Sequence, residues 1–166
     1  MTRGGFTLVE ILIVIAILGI LVVIGSSNFR GLNEKYKVEA ETKQLYADLM
    51  DARGRAMQRN RMSFVRFSGT GYQTYEDSNT PPDGNGVWDN TIDTRMANVT
   101  VLHTIATDLP GDVFEFNRNG IASVATGNIL FSSGAKPDYN CITIQPTRIK
   151  MGQYLGSFPG GTCVEK

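Results

Sequence analysis

A long apolar segment close to the N-terminus constrains this chain more than any other feature. It runs from Phe6 to Ile24, 19 residues interrupted only by Thr7, Glu10 and Gly19. As an α-helix it would be roughly 28 Å long, close to the hydrocarbon thickness of a bilayer, so it predicts a membrane-spanning helix. The alternative is a secretory signal peptide, for which Gly25-Ser26-Ser27 could supply the small-residue cleavage site.

Glu10 is the informative residue of this segment. A carboxylate inside a membrane span is costly and therefore indicates a function, because it needs a partner of opposite charge. The plainer interpretation is that Glu10 lies near the lipid headgroups, where the cost is smaller.

The residues around Glu10, Gly5-Phe6-Thr7-Leu8-Val9-Glu10, resemble the prepilin processing site of type IV pilins and type II secretion pseudopilins. The resemblance implies that a prepilin peptidase cleaves between Gly5 and Phe6 and that Phe6 is then N-methylated. It also implies that Glu10, the fifth residue of the mature chain, meets the N-terminal amine of a neighbouring subunit during assembly. Residues 1–5 would be the leader, and residues 6–27 the transmembrane and filament-core helix.

Beyond this segment a helical period leads into β-type patterns. Leu45, Leu49, Ala52 and Ala56 recur every three or four residues, which predicts an amphipathic helix over 28–60. Short alternating segments then predict a β-sheet domain over 61–166, with strands at Ser63–Phe67, Gly71–Tyr75, Val99–Ile105, Val113–Phe116, Asn128–Phe131, Cys141–Ile144 and, as the last, Arg148–Met151. One long helix followed by a run of strands predicts an α+β fold, with the helix packed on an antiparallel sheet.

The second half of the helix, Leu45 to Asn60, together with Phe64–Phe67 and the turn Phe116–Gly120, resembles GspH/FimT-type minor pseudopilins. The resemblance implies the pilin fold and a structural subunit, minor and not an enzyme, of a type IV pilus or a type II secretion pseudopilus. It implies a single-pass inner-membrane protein with its C-terminal domain in the periplasm. Its partners would be other pilin or pseudopilin subunits, the prepilin peptidase, the inner-membrane assembly platform, and membrane lipid before assembly.

Two cysteines, Cys141 and Cys163, lie near the C-terminus. With a single histidine and no CxxC motif, they match no zinc pattern. Outside the cytoplasm an even count favours a disulfide, and two buried thiols are the alternative.

An acidic, glycine-containing segment follows the second strand. Oxygen ligands and turn-forming glycines are what a calcium loop needs, and the candidate ligands are Asp77, Asn79, Asp83, Asn85 and Asp89. The EF-hand spacing is not present, and the same residue types make ordinary exposed loops, so a plain loop is the alternative and no cofactor is required.

Basic residues cluster at the end of the helix and in a late strand: Arg53, Arg55, Arg59, Arg61, Arg148 and Lys150. Clustered cations can contact DNA phosphates, as in DNA-uptake pilins, but arginines near a helix C-terminus are also favoured by the helix dipole. The whole chain has a formal net charge of zero, so its overall charge gives no sign of nucleic-acid binding.

The sequence contains no recognisable catalytic constellation, and His103, the single histidine, is predicted to be an ordinary strand residue. Two other functions remain as alternatives to a filament subunit. One is a membrane-tethered domain that binds DNA or calcium, and the other is a secreted periplasmic enzyme whose mature N-terminus lies near Ser26.

Overall fold

The structure, a computed structural model, describes residues 7–79 and 84–166, with the side chains of 24–30 outside that description. Its longest element is α1, Leu8–Arg59, a helix of 52 residues. Thr7 caps the helix, because its side chain accepts a hydrogen bond from the backbone N–H of Glu10. The helix ends at Asn60, which adopts the left-handed conformation and donates its N–H to the carbonyl of Ala56.

The strands that follow form two antiparallel sheets in the described residues. The first has the order β3-β2-β1-β5 and the second the order β4-β6-β7-β8-β9. The strands are β1 Ser63–Ser68, β2 Gly71–Glu76, β3 Thr94–Thr100, β4 Ile105–Thr107, β5 Val113–Phe116, β6 Gly127–Phe131, β7 Cys141–Ile144, β8 Ile149–Leu155 and β9 Thr162–Glu165. A single 3-10 turn, Pro110–Asp112, precedes β5.

The hydrophobic core lies where the second half of α1 packs on both sheets. The helix contributes the predicted stripe, now including Val38, and the first sheet contributes Val65, Phe67 and Phe114. The second sheet contributes a row of β-branched and aromatic side chains: Ile105, Ile129, Phe131, Ile142, Ile144 and Ile149. Residues 31–79 and 84–166 thus form a head domain around the second half of the helix, and the first half of α1 projects from that domain.

A loop covers the outer face of the first sheet. Trp88 of this loop packs edge-on against Tyr75, with ring centroids 5.9 Å apart, and the guanidinium of Arg66 lies 5.0 Å from the Trp88 ring. Phe64 and Tyr75, which are paired across β1 and β2, are therefore almost completely buried although they point away from the helix.

The predicted α+β class, a helix packed on antiparallel β-structure, is confirmed, but three details of the prediction are wrong. The strands form two sheets instead of one. The predicted strand Val99–Ile105 is two strands, β3 and β4, separated by a bend at 101–104. The strand predicted at Arg148–Met151 is the longer β8, and it is followed by β9, which pairs with it at the sheet edge.

Candidate functional site

The first half of α1 presents an apolar surface that the head domain does not cover. Its large side chains from Leu8 to Val23 are all more than half exposed. A shallow groove lies on this surface, lined by Ile15, Ala16, Gly19, Ile20 and Val23. An isolated copy of the chain therefore exposes a long apolar cylinder to its surroundings.

No helix within residues 7–79 and 84–166 combines the length and the apolar character that crossing a membrane requires.

Glu10 lies in the first turn of α1, and its side chain is exposed among the apolar residues. Its backbone N–H donates to both the carbonyl and the hydroxyl of Thr7, at 3.1 and 3.2 Å, which fixes the start of the helix. The predicted processing residues Gly5 and Phe6 lie outside the described residues. Of the predicted processing and assembly residues, the structure therefore describes Glu10 alone, in the first turn of α1.

A set of polar contacts, which we call the polar collar, surrounds α1 where it enters the head domain. It joins residues 34–43 of the helix to the bend at 101–104 and to the connection between β6 and β7. At the connection between β6 and β7, Lys35 Nζ pairs with Asp138 at 3.0 Å, and a Glu39 carboxylate oxygen accepts the Asp138 backbone N–H at 3.0 Å. The buried Thr42 hydroxyl donates to the carbonyl of Val38 at 2.8 Å, and the carbonyl of Tyr139 lies 3.3 Å from the same hydroxyl oxygen.

At the bend at 101–104, the other part of the collar, a histidine lies between two carboxylates. His103 is 8% exposed, and its Nδ1 and Nε2 atoms lie 2.7 Å from carboxylate oxygens of Glu41 and Glu34, respectively. Burial lowers the pKa of His103, but hydrogen bonds to Glu34 and Glu41 and their negative charges raise it by more, so the pKa is raised above 6.5. The prediction that His103 is a strand residue is wrong, because residues 101–104 form the bend between β3 and β4.

Asp138 links the collar to the end of the chain. Its carboxylate also accepts a hydrogen bond from Lys166 Nζ at 2.9 Å. The hydrogen bonds from Lys166 and Lys35, with their positive charges, lower the pKa of Asp138. The hydrogen bond to Asp138 likewise raises the pKa of Lys35.

The two cysteines form a disulfide. Cys141 lies on β7 and Cys163 on β9, with β8 between these strands in the sheet order. The bond ties the edge strand β9 to the interior of the second sheet and keeps the segment carrying Lys166 close to the collar.

The basic residues proposed for DNA contact face acceptors within the protein. Five face carboxylates: Arg55 pairs with Asp51, Arg59 and Arg61 with Glu76, and Arg148 and Lys150 with Glu165. Arg53 donates to the carbonyl of Thr147. These pairings offset the positive charge that phosphate binding would use.

The residues proposed for calcium are distributed around the loop that covers the first sheet. Both oxygens of the fully buried Asp77 carboxylate accept backbone N–H groups, those of Asn85 and Gly86. Asp89 accepts the backbone N–H and hydroxyl of Thr91, and these hydrogen bonds lower the pKa of Asp89. The Asn85 side chain accepts the N–H of Val87.

The other two proposed ligands add no further geometry. Asn79 is half-buried at the start of the same loop, and Asp83 lies outside the described residues. In residues 7–79 and 84–166, no group of three or more His, Cys, Asp or Glu side chains could hold a metal. Calcium binding stays a prediction, and the loop has an ordinary explanation as a hydrogen-bonded cover.

Sequence reasoning missed the residues of the polar collar. Glu34 and Glu41 are spaced by seven, which places them on one face of a helix, and this is the signal that could have drawn attention to them. Their partner lies more than 60 positions away in the sequence.

Comparison with known proteins agrees with this architecture. Residues 1–26 match the family model described as the prokaryotic N-terminal methylation motif. Residues 41–147 match the model described as type II transport protein GspH. A search among curated proteins found no match.

Among solved structures, the chain is similar in fold to the minor pseudopilin EpsH from the type 2 secretion system of Vibrio cholerae. The TM-score is 0.50 at 16% sequence identity, and the match covers 70% of this chain and 97% of that chain. At this identity the likeness is one of fold. Because the GspH model matches more than half of the sequence, the chain belongs to the type II transport protein GspH family, within the type IV pilin and pseudopilin superfamily.

Proposed function

We propose that this protein is a minor pseudopilin that joins a type II secretion pseudopilus through the first half of α1. The observation that carries the proposal is the exposed apolar cylinder from Leu8 to Val23, which contains one carboxylate, Glu10. A surface of this kind is stable only in lipid or against other apolar helices. The family consists of structural subunits and not of enzymes.

Processing and location complete the proposal. A prepilin peptidase cleaves between Gly5 and Phe6, and Phe6 is N-methylated, in agreement with the N-terminal methylation motif over residues 1–26. Before assembly the N-terminal segment, 6–27, lies in the inner membrane with the head domain in the periplasm. The inner-membrane assembly platform then transfers the subunit into the filament, where the helices of other pseudopilins replace lipid.

Glu10 sets the axial position of the subunit in this proposal. In an apolar bundle a carboxylate and the α-amino group released at Phe6 each need a partner, and one copy can satisfy the next. Such a pair adds little net stability, but it specifies register, because a shifted neighbour would leave two buried charges unpaired. The Thr7 cap supports this role, since it fixes the helical turn that carries Glu10.

The test combines N-terminal sequencing of the mature protein with an assembly assay. We expect a mature chain that begins at methylated Phe6. Glu10→Val should accumulate in the membrane at the native level but co-purify poorly with other pseudopilins, because an unpaired buried amine costs about 3 kcal/mol, roughly a hundredfold in occupancy. Val9→Ala, an uncharged change in the same turn, is the matched control and should assemble normally.

Incorporation of Glu10→Val at the native level would show that the carboxylate does not set register. A mature N-terminus near Ser26 would instead indicate a secreted protein and would overturn the assembly proposal as a whole.

A further inference from the structure

His103 is held in a geometry that a neutral imidazole cannot satisfy. Each ring nitrogen lies 2.7 Å from a carboxylate oxygen, one of Glu34 and one of Glu41. A neutral ring carries one N–H, so one of the two carboxylates would then face a lone pair. Both contacts are favourable only when the ring is protonated and donates from both nitrogens.

The two carboxylates differ in the hydrogen bonds that they accept from groups other than the His103 ring. Glu41 also accepts the backbone N–H groups of Leu102 and His103, at 2.6 and 3.3 Å, and its side chain is 15% exposed. Glu34 is 44% exposed, and within the described residues the ring Nε2 is the hydrogen-bond donor that the structure gives it. Loss of the ring proton therefore leaves Glu41 in place and removes the contact at Glu34.

Within the described residues, the charged groups that act on His103 are Glu34 and Glu41, both on α1. The turn between β1 and β2 also contacts the bend, through the carbonyls of Gly69 and Thr70, which accept from Ile105 and Val101. Ser132, after β6, donates its N–H to the carbonyl of Thr104. These residues are uncharged, so Glu34 and Glu41 are the groups that decide the protonation of the ring.

Glu34 lies at the point where α1 leaves the head domain. The first fully buried apolar residue of the described helix is Val38, and Gly31, Leu32, Asn33, Tyr36 and Lys37 are exposed. At the bend at 101–104, the Glu34–His103 contact is thus the outermost attachment of the head domain to the helix. The other outer attachment, Lys35–Asp138, joins two solvent-accessible side chains and is weaker in water.

We propose that His103 is a proton-operated clamp, closed when its imidazolium bridges Glu34 and Glu41, and opened at Glu34 when the proton leaves, which frees α1 where it exits the head domain. The bridge joins the connection between the two sheets to two positions on one helix face, Glu34 and Glu41, which lie about two turns apart. It therefore controls the direction of the projecting helix relative to the head. This role is independent of the register role proposed for Glu10.

The direction of the pH effect follows from the environment of the ring. The pKa of His103 is raised above 6.5 in the folded chain, because the two carboxylates outweigh the effect of burial. The clamp is therefore mainly closed at pH 6.5 and opens as pH rises through the folded-state value.

The test uses the full-length chain in nonionic detergent micelles, followed by NMR between about pH 5 and pH 9. Since the chain has one histidine, its ring resonance reports His103 without further assignment. We expect a titration midpoint above 6.5. Backbone order parameters for residues 31–37 should decrease with the same midpoint, while those around Leu49 stay constant.

Glu34→Gln is the decisive variant, because Glu34 is half-exposed and the substitution leaves the core untouched. It should lower the ring midpoint and abolish the pH dependence of the order parameters at 31–37. Lys35→Gln is the matched control, since it removes the neighbouring ion pair with Asp138 and should leave the coupling to His103 intact. A native midpoint at or below 6.5, or order parameters at 31–37 that do not change through the titration, would overturn the clamp.

Failure of the clamp and failure of the proposed function are distinguishable. A chain in which residues 31–37 ignore the His103 titration, but which begins at Phe6 and depends on Glu10 for co-purification, keeps its assembly role and loses the clamp.

Discussion

Asp77 is fully buried, and its carboxylate accepts two backbone N–H groups from the loop that covers the first sheet. Gly84 makes this approach feasible, since its φ of +86° is in the region that glycine tolerates, and a Cβ at this position would overlap the Asp77 carboxylate. The loop is thus fastened by one side chain that the sequence suggested as a metal ligand. Buried carboxylates of this kind stabilise a fold because the groups they satisfy would otherwise be unpaired.

We predict that Asp77→Ala destabilises the loop by about 1–3 kcal/mol, because it leaves two N–H groups without an acceptor. Trp88 is the single tryptophan of the chain, so its fluorescence during denaturant unfolding measures this change directly. Asp51→Ala is the matched control: it removes an exposed carboxylate paired with Arg55 and should cost a few tenths of a kcal/mol. Equal costs for the two variants would contradict the role given to Asp77.

At the residue scale, the sequence shows where polar side chains are concentrated, but it does not show which groups they bind. The acidic loop was identified from the sequence, but whether its carboxylates bind a cation or backbone N–H groups depends on how the loop folds back. The role of His103 was not predictable, because an apolar strand-like neighbourhood gives no sign of carboxylates on a helix more than 60 positions earlier.

Among the secondary-structure elements, the second half of α1 is the one that the sequence predicts best. Leu45, Leu49, Ala52 and Ala56 share one face by periodicity alone, and all four are buried. The strands β3 and β9 were misjudged for a physical reason: both are edge strands, and their largely exposed residues show no clear alternation of apolar and polar positions. Edge strands are held by one neighbour, so their sequences carry a weaker signal.

The edge strand β9 pairs with β8, and the disulfide adds a second attachment by joining β9 to β7. This leads to a prediction for the reduced protein. Cleaving a cross-link between residues 22 positions apart should destabilise the chain by about 3 kcal/mol. Hydrogen exchange at residues 162–166 should accelerate first, while exchange at β1 and β2 stays slow. Mass spectrometry after reduction and alkylation measures both regions at once. A mass shift from alkylation without faster exchange or proteolysis at the C-terminus would argue against this role of the bond.

At the scale of the whole molecule, two ionic groups of the polar collar act in opposite pH directions. The folded pKa of His103 is raised above 6.5, so its contribution to stability is complete below 6.5 and is lost as pH rises through the folded value. The folded pKa of Asp138 is lowered below 3.8, so its contribution is present above 3.8 and is lost as pH falls through the folded value.

We therefore predict that the melting temperature of the full chain in nonionic detergent is highest between about pH 4 and pH 6.5. His103→Gln should flatten the decline on the alkaline side and leave the acid side unchanged. Asp138→Asn should flatten the decline in melting temperature on the acid side and leave the alkaline side unchanged. A native profile that is flat between pH 6 and pH 9 would contradict the first part of this prediction.

The place at which the head domain releases α1 has a mechanical consequence. From residue 34 to residue 8 the helix extends for about 40 Å, so it acts as a lever whose fulcrum is the polar collar. A tilt of about 10° at that fulcrum would displace the tip sideways by roughly 7 Å, comparable with the separation of about 8–10 Å between the axes of packed helices. Small changes of angle near residue 34 are thus amplified at Glu10 into sideways movements, which turn the carboxylate towards one neighbouring helix or another while its axial position changes little.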